Sequence, residues 1–445
     1  MIRPLQMTKG LAGLRPSAGA RAAIAGAVLT GGAALAAASP AVPPTSPPVP
    51  PASPAIPLTS PTTHQVPQAT VFTFAGRGWG HGVGMSQYGA RGRALAGWSG
   101  ADILRHYYRG TSLSVVRQRT VRVLLSTGRR SATVWSPGAW RAIGARPNGR
   151  AVTPLRAGVV YRITTLSTGR LALVREGRRV AVFTGPVRVQ ARTSGGWVAW
   201  GPTQAEAARR YRGGLRAVPT GRGFDLVNVV GLDTYIKGVV PREMPAHWGD
   251  DAFAALVAQA VAARSYALST MSPTATYDVF DDDRSQVYGG VSAEDPRTTR
   301  AVRATRGTVV TYDGKVITTY FFSTSGGRTE DVQNVFRGGV PHPYLVSVPD
   351  PFDDISPYHV WPDPPSFSPA GLGRRLGLDG PVTDVTVLRR GSSPRVRDAQ
   401  ITTVSGSQTV VTGTTMRADL GLRDTWFTVT KRQLPAAQAA RLVGE

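Results

Sequence analysis

The sequence contains no cysteine. This absence excludes disulfide bonds, thiolate metal ligands and a cysteine nucleophile, so any catalysis must use carboxylates, histidine or hydroxyl groups. Acidic residues are scarce as well, because 27 Asp and Glu stand against 52 Lys and Arg and leave a formal net charge of +25. Such an excess favours polyanionic partners. An arginine-rich proteome would produce the same excess without selection for binding, and both explanations stay open.

Long apolar runs are also missing. The run AAIAGAVLTGGAALAAA at residues 22–38 follows four basic residues and ends in small side chains, which predicts a signal peptide over residues 1–38 that is cleaved after Ala38. The protein is then secreted or associated with the cell wall. At about 17 residues the run is marginal for crossing a bilayer, and an uncleaved membrane anchor is the alternative. The proline-rich residues 39–68 predict an extended linker.

Two nucleotide-binding signatures are absent from the glycine-rich stretch GRGWGHGVGMSQYGARG at residues 76–92. None of its GxG units has the third glycine of GxGxxG, and no GK[ST] follows to form a phosphate loop. Its glycines alternate with Arg77, Trp79, His81 and Val83. In an extended segment this spacing leaves one face bare and predicts that something approaches the backbone closely. The alternative is a flexible loop that carries a core histidine.

After the glycine-rich stretch, the sequence first shows patterns typical of strands and then a mixture of helix and strand patterns. Residues 118–222 consist of short alternating strands without clustered acids or histidines, which predicts a mainly-β scaffold or recognition region. Residues 223–432 contain an amphipathic helix that Asp250 or Asp251 would cap, and a hairpin that turns at Asp313-Gly314. The chain is therefore predicted to have an α+β, β-rich fold with a few helices, in which a mixed-sheet catalytic core carries a small mainly-β insertion.

Five segments together resemble one family of exported bacterial proteins. They are LDTYIKGVVPREMP with AQAVAARSYAL, YDVFDDDRSQVYGG, TRGTVVTYDGKVITTYFFSTSGGRTE, YLVSVPDP and GRGWGHGVGMSQYGA. They resemble the SpoIID/LytB family, whose SpoIID members are lytic transglycosylases that act on peptidoglycan and whose LytB members are amidase enhancers. In that family the GHGVGMSQYGA phrase stands at the C-terminal end of the domain, so its place here implies a circular permutation. We therefore expect residues 69–117 to complete the core of 223–432 beside the strand at 424–430, with 433–445 as a tail.

The resemblance implies glycan strands of peptidoglycan as the substrate and Glu243 as the catalytic residue. Glu243 stands between Pro241 and Pro245 among apolar residues, in a segment that we expect to be neither regular helix nor central strand. Burial is expected to raise its pKa. One carboxyl group can protonate the leaving oxygen and then deprotonate the muramic acid 6-hydroxyl, which closes a 1,6-anhydro ring. A surface turn glutamate is the alternative, and Asp233 and Glu330 are competing carboxylates that could orient the substrate.

A different class of function stays open beside the enzyme. The LytB side of the resemblance implies a non-enzymatic protein that binds the wall and enhances an N-acetylmuramoyl-L-alanine amidase. We expect no nucleic-acid partner, because an exported polycation meets an anionic wall or membrane surface first. Contact with a membrane is expected only if the signal segment stays uncleaved.

The predicted substrate contacts combine the matching phrases with the polar and aromatic side chains in them. They are Trp79, His81, Gln87, Tyr88, Gln259, Arg264, Gln286, Tyr288, Ser325, Gly326, Gly327 and Arg328. We expect no cofactor and no metal. Asp281, Asp282 and Asp283 would suit calcium but fit a turn or capping cluster better, and the zinc ligands that the resemblance implies for some family members are Cys and His, which this block lacks. A zinc site built on His81, His106 and His247 would have no recognised spacing.

Overall fold

The computed structural model describes residues 67–443 except 147–148, 168, 194, 202–208, 222, 273–275 and 337. The predicted signal peptide of residues 1–38 and nearly all of the predicted linker of 39–68 lie outside the described residues. Within the described part, no helix is both long enough and apolar enough to cross a membrane.

The described residues contain both helices and strands, as predicted for an α+β fold. The helices are α1 Gln87–Leu95, α2 Gly100–Tyr107, α3 Leu232–Glu243, α4 Phe253–Thr270, α5 Pro296–Ala304, α6 Val332–Val335, α7 Pro369–Arg375, α8 Gly413–Leu420 and α9 Ala436–Val443. Short 3-10 helices are Ala246–Gly249, Gly290–Ala293 and Pro351–Ile355. The strands are β1 Gln68–Gly76, β2 Met85–Ser86, β3 Ser112–Val115, β4 Thr120–Arg129, β5 Ser131–Trp135, β6 Trp140–Arg146, β7 Gly149–Leu155, β8 Tyr161–Ser167, β9 Arg170–Arg175, β10 Arg178–Phe183, β11 Val187–Ala191, β12 Trp197–Trp200, β13 Arg209–Arg212, β14 Gly214–Pro219, β15 Phe224–Gly231, β16 Val279–Phe280, β17 Thr308–Tyr312, β18 Lys315–Val316, β19 Phe321–Phe322, β20 Ser366–Phe367, β21 Val382–Arg390, β22 Val396–Thr403, β23 Gln408–Thr412 and β24 Phe427–Pro435.

Two large sheets pack with helices α1 to α5 around the first hydrophobic core. The seven-stranded sheet has the order β16-β4-β15-β14-β11-β6-β7, and it is mixed because β16 runs parallel to β4. The six-stranded sheet has the order β10-β9-β8-β5-β12-β13. The predicted mainly-β region thus supplies β4 to β14, but its buried side chains belong to the same core as those of α3 and α4.

Helix α4 runs through this core and is buried on most of its faces. Its N-cap is Ala252, which provides no side-chain hydrogen bond, so the predicted cap by Asp250 or Asp251 is wrong. Asp250 instead accepts a hydrogen bond from Arg297, and Asp251 accepts one from Arg91. The tight packing of α4 against its neighbours replaces the missing cap as the main source of its stability.

A second hydrophobic core brings the first described strand together with the last one. β1 pairs antiparallel with β24 along nine residues, so the predicted adjacency of these segments is confirmed. In this pairing Phe427 lies opposite Gly76, and Thr73 lies opposite Thr430. Strands β20 to β23 and helices α7 and α8 complete this core. The structure thus groups residues 361–427 with β1, and the expected tail contains the end of β24 and α9.

Candidate active site

Helix α3 ends at Glu243, the predicted catalytic residue. Pro241 lies inside its last turn, and the N–H of Met244 donates to the carbonyl of Val240 to close the helix. The prediction that this segment is not regular helix was therefore wrong for residues up to Glu243. A proline in the last turn removes one hydrogen bond near a helix end, where several carbonyls lack helical partners already. Met244 then takes an extended conformation, which Pro245 after it favours.

The Glu243 carboxyl group sits in surroundings that favour its neutral form. Its side chain is half-buried. Desolvation raises the pKa of Glu243 from 4.5 to about 7, although the backbone N–H of Val287 and the charge of Arg242 act in the opposite direction. The negative end of the α3 dipole also disfavours a carboxylate at this position. Near neutral pH, Glu243 is therefore present in both protonation states and can give up a proton or take one.

The loop 281–289 wraps around α3 and reaches Glu243 from the side. The N–H of Val287 donates to Oε1 of Glu243 at 3.2 Å. A Cβ at Gly238 of α3 would lie 2.6 Å from Tyr288 Cε2, so only glycine allows this close approach. Gln286 is buried and has no described partner for its Nε2. Tyr288 is buried as well, and its hydroxyl donates to Asn228 Oδ1 at 2.9 Å, so it supports the loop from inside the fold.

Tyrosines that the sequence analysis did not single out lie beside Glu243. Glu243 contributes to the raised pKa values of both Tyr235, which is buried, and Tyr266, which is half-buried on α4. The Tyr266 ring lies 5.9 Å from the Tyr320 ring, and Tyr320 lies 4.9 Å from Phe336. The three rings of Tyr266, Tyr320 and Phe336 are partly exposed. Tyr266 and Tyr320 stand in the phrases AQAVAARSYAL and ITTYFFSTSGG, and their aromatic character was the available signal.

The two competing carboxylates have structural roles. Asp233 accepts hydrogen bonds from Arg264 Nε at 2.7 Å and from Gln118 Nε2 at 2.6 Å. Glu330 is buried, and its two oxygens accept from three backbone N–H groups and from two side chains, those of Asn334 and Ser393. Neither is bonded to Glu243 or contributes to its pKa shift. No described acid therefore contributes to the raised pKa of Glu243.

The glycine-rich stretch is not an extended segment with one bare face. Gly78, Gly80, Gly82 and Gly84 have φ values of 80°, 135°, 86° and 77°, a region that disfavours other residues. A Cβ at Gly84 would lie 2.1 Å from the carbonyl oxygen of Tyr320. The predicted close approach therefore exists, but the groups that approach belong to the protein itself. The prediction of an extended segment was wrong because glycine at every second position fits two structures. It fits a strand with one bare face, and it also fits a segment in which every second residue has a positive φ.

His81 is buried inside this stretch, and both of its ring nitrogens are used there. Nδ1 accepts from the N–H of Val83 at 3.0 Å, so Nε2 carries the proton and donates to the carbonyl of Phe321 at 3.1 Å. Burial lowers the pKa of His81 to about 3, which keeps the ring neutral. The predicted hydrogen bond from His81 to a sugar does not fit this arrangement, because no ring nitrogen is left for it.

The next part of the stretch does reach the segment that follows Glu243. The rings of Tyr88 on α1 and Trp248 pack with centroids 4.9 Å apart. The Arg91 guanidinium lies 4.9 Å from the Trp248 ring centroid and forms an ion pair with Asp251 at 3.0 Å. Tyr88 keeps partial exposure, while Gln87 is buried at the start of α1. Residues 87–91 therefore brace the turn that positions the end of α3.

Trp79 lies at a different place, against the second core. Its half-buried ring meets Tyr358 edge-on at 4.3 Å, and its Nε1 has no described partner. Arg423 lies 5.9 Å from the same ring. Trp79 thus helps to join the glycine stretch to residues near the second core.

The STSGG loop is held by one buried carboxylate. Asp353 accepts from the N–H groups of Ser325 and Gly326 at 2.8 and 2.9 Å. The N–H of Gly327 donates to Ser325 Oγ, and Arg328 Nε donates to Ser347 Oγ at 2.9 Å. These predicted substrate contacts are occupied in shaping the loop, although Gly327 and Arg328 keep partial exposure.

Two predicted substrate contacts, Arg264 and Gln259, lie on helix α4, and they differ in their hydrogen bonds. Arg264 is buried, and its guanidinium donates to Asp233 and to the carbonyls of Ala260, Thr308 and Val302, so it joins α4 to α3, α5 and β17. Gln259 is buried too, but neither its Oε1 nor its Nε2 has a described partner. Gln259 precedes Tyr266 by two helical turns on the same face of α4.

No described group of three or more His, Asp or Glu side chains is arranged to hold a metal ion. In the acidic triplet, Asp281 pairs with Arg209 at 3.2 Å and Asp282 pairs with Arg284 at 2.8 Å. His106 lies apart from His81, and its Nε2 is 2.7 Å from Arg93. The triplet is thus a turn stabilised by arginines.

Comparison with known proteins assigns the part of the chain that holds this site. Residues 220–312 match the model of the SpoIID family, described as stage II sporulation protein. This segment is similar to the SpoIID/LytB family. The SpoIID match includes α3 with Glu243, the loop 281–289 and α4. The resemblance to this family that the phrases indicated is confirmed over this part of the chain.

The proteins that are similar to this chain carry two kinds of name. The chain is 33% identical to "Stage II sporulation protein D" of Bacillus amyloliquefaciens over 220 residues. This match includes 45% of the chain and covers 60% of that protein. Over 118 residues, 26% of the chain, it is 42% identical to "Amidase enhancer" of Bacillus subtilis and covers 15% of it. It is 40% identical over 141 residues, 31% of the chain, to an uncharacterised protein of Brachyspira hyodysenteriae and covers 37% of it. The chain thus spans less than two thirds of these relatives, and no solved structure matches it.

Proposed function

We propose that this protein acts outside the cytoplasm on peptidoglycan and cleaves its glycan strands as a lytic transglycosylase. The isolation of Glu243 carries the proposal. Glycoside hydrolases of the common two-carboxylate type place their carboxyl groups about 5 to 9.5 Å apart. Here one half-buried carboxyl group has a pKa of about 7, and no described acid contributes to the shift of that pKa. The SpoIID match over the same residues supports a cell-wall substrate.

The proposed reaction uses Glu243 twice. Its protonated carboxyl group donates a proton to the glycosidic oxygen, and the bond between that oxygen and the anomeric carbon of muramic acid breaks. The resulting carboxylate takes the proton of the muramic acid 6-hydroxyl, whose oxygen bonds to the anomeric carbon. The products are a free hydroxyl on one fragment and a 1,6-anhydro end on the other, no water is consumed, and Glu243 is protonated again. A pKa of about 7 suits both steps near neutral pH.

The neighbours of Glu243 suit a sugar. The partly exposed rings of Tyr266, Tyr320 and Phe336 offer apolar faces and, on the tyrosines, hydroxyl groups. The free Nε2 of Gln286 is a donor close to the carboxyl group, because the next residue donates to Glu243. Among the predicted contacts, Gln286 precedes the residue that donates to Glu243, and Tyr88 is partly exposed beside Trp248.

The test compares wild type with Glu243→Gln and with a control variant, Glu176→Gln. The control changes an exposed residue in the turn between β9 and β10. Purified proteins are incubated with denuded and with peptide-bearing glycan strands, and the products are separated by mass spectrometry. We expect 1,6-anhydro ends from wild type and the control, and a loss of about 10²- to 10⁴-fold for Glu243→Gln. Hydrated ends from wild type, or full activity of Glu243→Gln, would overturn the proposal.

The likeness to the amidase enhancer favours a second candidate. In that case the protein binds the wall and stimulates a separate N-acetylmuramoyl-L-alanine amidase. Glu243→Gln should then leave the stimulation of such an amidase unchanged, and wild type alone should release no sugar fragments.

A further inference from the structure

A trough lined by cationic side chains runs along the seven-stranded sheet, away from Glu243. It consists of two cavities of about 540 and 390 Å³ that share Arg188. The cationic residues that line them are Arg150, Arg188, Arg212, Arg216, Lys237 and Arg303. We refer to these six residues and the space between them as the cationic trough.

Acidic side chains hardly compensate the trough. Glu294 is the one acid among its lining residues, and it is already bonded to Arg212 at 2.6 and 2.8 Å. The side chains of Arg150, Arg216, Lys237 and Arg303 form no hydrogen bond or ion pair with a described residue, although the charges of Glu294 and Asp233 act on Lys237. The Nε of Arg188 is buried without a described partner. The positive charge is therefore left available for a ligand.

The backbone register forces two of these charges together. Arg188 on β11 lies directly opposite Arg216 on β14, and directly opposed like charges in a sheet are destabilising. The charges of Arg216, Arg141 and Arg150 all act on Arg188. This like-charged pair does not stabilise the sheet. An anion bound between the two arginines would be attracted to both, because guanidinium groups bind phosphate through paired hydrogen bonds.

The lining of the trough also indicates what kind of anion fits. None of the residues that line either cavity is aromatic. Sugars and nucleic-acid bases are commonly held by stacking on aromatic rings, and the trough offers none. Two joined cavities suit an extended chain better than a single small anion. The chemistry is that of a linear polymer recognised by its charge.

The position of the trough separates it from the Glu243 site. Lys237 and Glu243 both lie on α3, six residues apart. In a helix this spacing places them about 9 Å apart along the axis and about 120° apart around it. One helix thus carries a side chain of each site on different faces.

We propose that the cationic trough binds a linear polyol phosphate, a polymer with one phosphodiester group per repeat and no bases. Arg188 and Arg216 share one phosphate, and Lys237 and Arg303 bind another along the chain. Such binding would hold the protein on an anionic polymer while Glu243 faces a different direction. The proposal does not depend on the chemistry of Glu243.

The test measures binding of purified wild type to poly(glycerol phosphate) by calorimetry. The double variant Arg188→Gln/Arg216→Gln is compared with Arg178→Gln/Arg179→Gln, which removes the same charge from the exposed start of edge strand β10. We expect the trough variant to lose at least 10-fold in affinity and the control to match wild type. For the two phosphates bound by these pairs, wild-type affinity should fall about 7-fold between 50 and 200 mM salt, by analogy with single-stranded nucleic acids.

Three outcomes would overturn the proposal. They are the absence of binding by wild type, an equal loss in both double variants, and tighter binding of oligothymidylate or of the carboxylate polymer hyaluronate than of poly(glycerol phosphate). Misfolding is excluded by a thermal melt, in which the trough variant should be as stable as wild type or more so, because a repulsive pair is removed. Glu243→Gln should bind the polymer like wild type, so failure of the catalytic proposal leaves this result interpretable.

Discussion

Replacement of Glu243 by glutamine should stabilise the folded protein at alkaline pH. The fold raises the pKa of this acid from 4.5 to about 7, so the wild type becomes less stable as pH rises through this window. The stabilising contribution of the protonated acid is complete below pH 4.5 and is lost by about pH 7. Glutamine resembles the neutral acid and does not ionise, so the variant avoids the loss.

The size of the effect follows from the shift. Each pKa unit corresponds to about 1.4 kcal/mol, and since the side chain keeps some access to solvent we expect about 2 to 3 kcal/mol at pH 8. For the roughly 360 described residues the unfolding entropy is about 0.8 kcal/mol per kelvin, so the gain in Tm is about 3 to 4 °C. At pH 4.5 the two proteins should melt within about 1 °C of each other.

The assay is a series of thermal and urea melts of wild type, Glu243→Gln and the exposed control Glu176→Gln between pH 4.5 and 8. The control should follow wild type at every pH. A Glu243→Gln protein that is less stable than wild type at pH 8, or a difference that does not change with pH, would refute the assignment of a desolvated acid at the end of α3.

Two further predictions concern the site and the glycine stretch. Cleavage of glycan strands should fall about tenfold between pH 6 and pH 8, because the protonated fraction of an acid with a pKa of about 7 falls from about 0.9 to about 0.1, and a pH–rate profile with its midpoint near 4.5 would contradict this. Gly84→Ala should lower the free energy of unfolding by about 3 kcal/mol or more, because φ is 77° and the new Cβ would meet the Tyr320 carbonyl at 2.1 Å. The matched control Gly128→Ala, with φ 62° and open space around it, should lose only about 1 kcal/mol in urea melts, and equal losses would show that contact with Tyr320 does not matter.

Local signals predicted local features well. Asp313-Gly314 turns the hairpin of β17 and β18, with both residues at positive φ, as such a pair should. Ser99 is a favoured N-cap residue type, and it caps α2 by accepting from the N–H of Asp102 at 3.2 Å. The apolar residues around Glu243 correctly indicated a raised pKa, since burial among neighbours in sequence is visible in the sequence.

Features that depend on distant partners were not predictable in the same way. Arg264 on a buried helix fits a groove or an ion pair equally well, and Asp233, which decides between them, lies 31 positions earlier. The like-charged pair Arg188 and Arg216 is invisible without the strand register. Backbone angles at alternating glycines cannot be inferred from alternation, because glycine alone is compatible with either sign of φ.

The pairing of β1 with β24 has a consequence for biosynthesis. The two strands are about 360 residues apart, so at 5 to 20 residues per second β1 is made about 20 to 70 seconds before its partner. During that time Phe72 and Phe74 have no complete core to enter. A chain that stops before β24 lacks Phe427 of the second core and the strand that pairs with β1, whereas the residues of the Glu243 site have already been made. The second core is therefore complete only after translation has reached β24. Truncated copies should leave Phe72 and Phe74 more exposed than they are in the full chain.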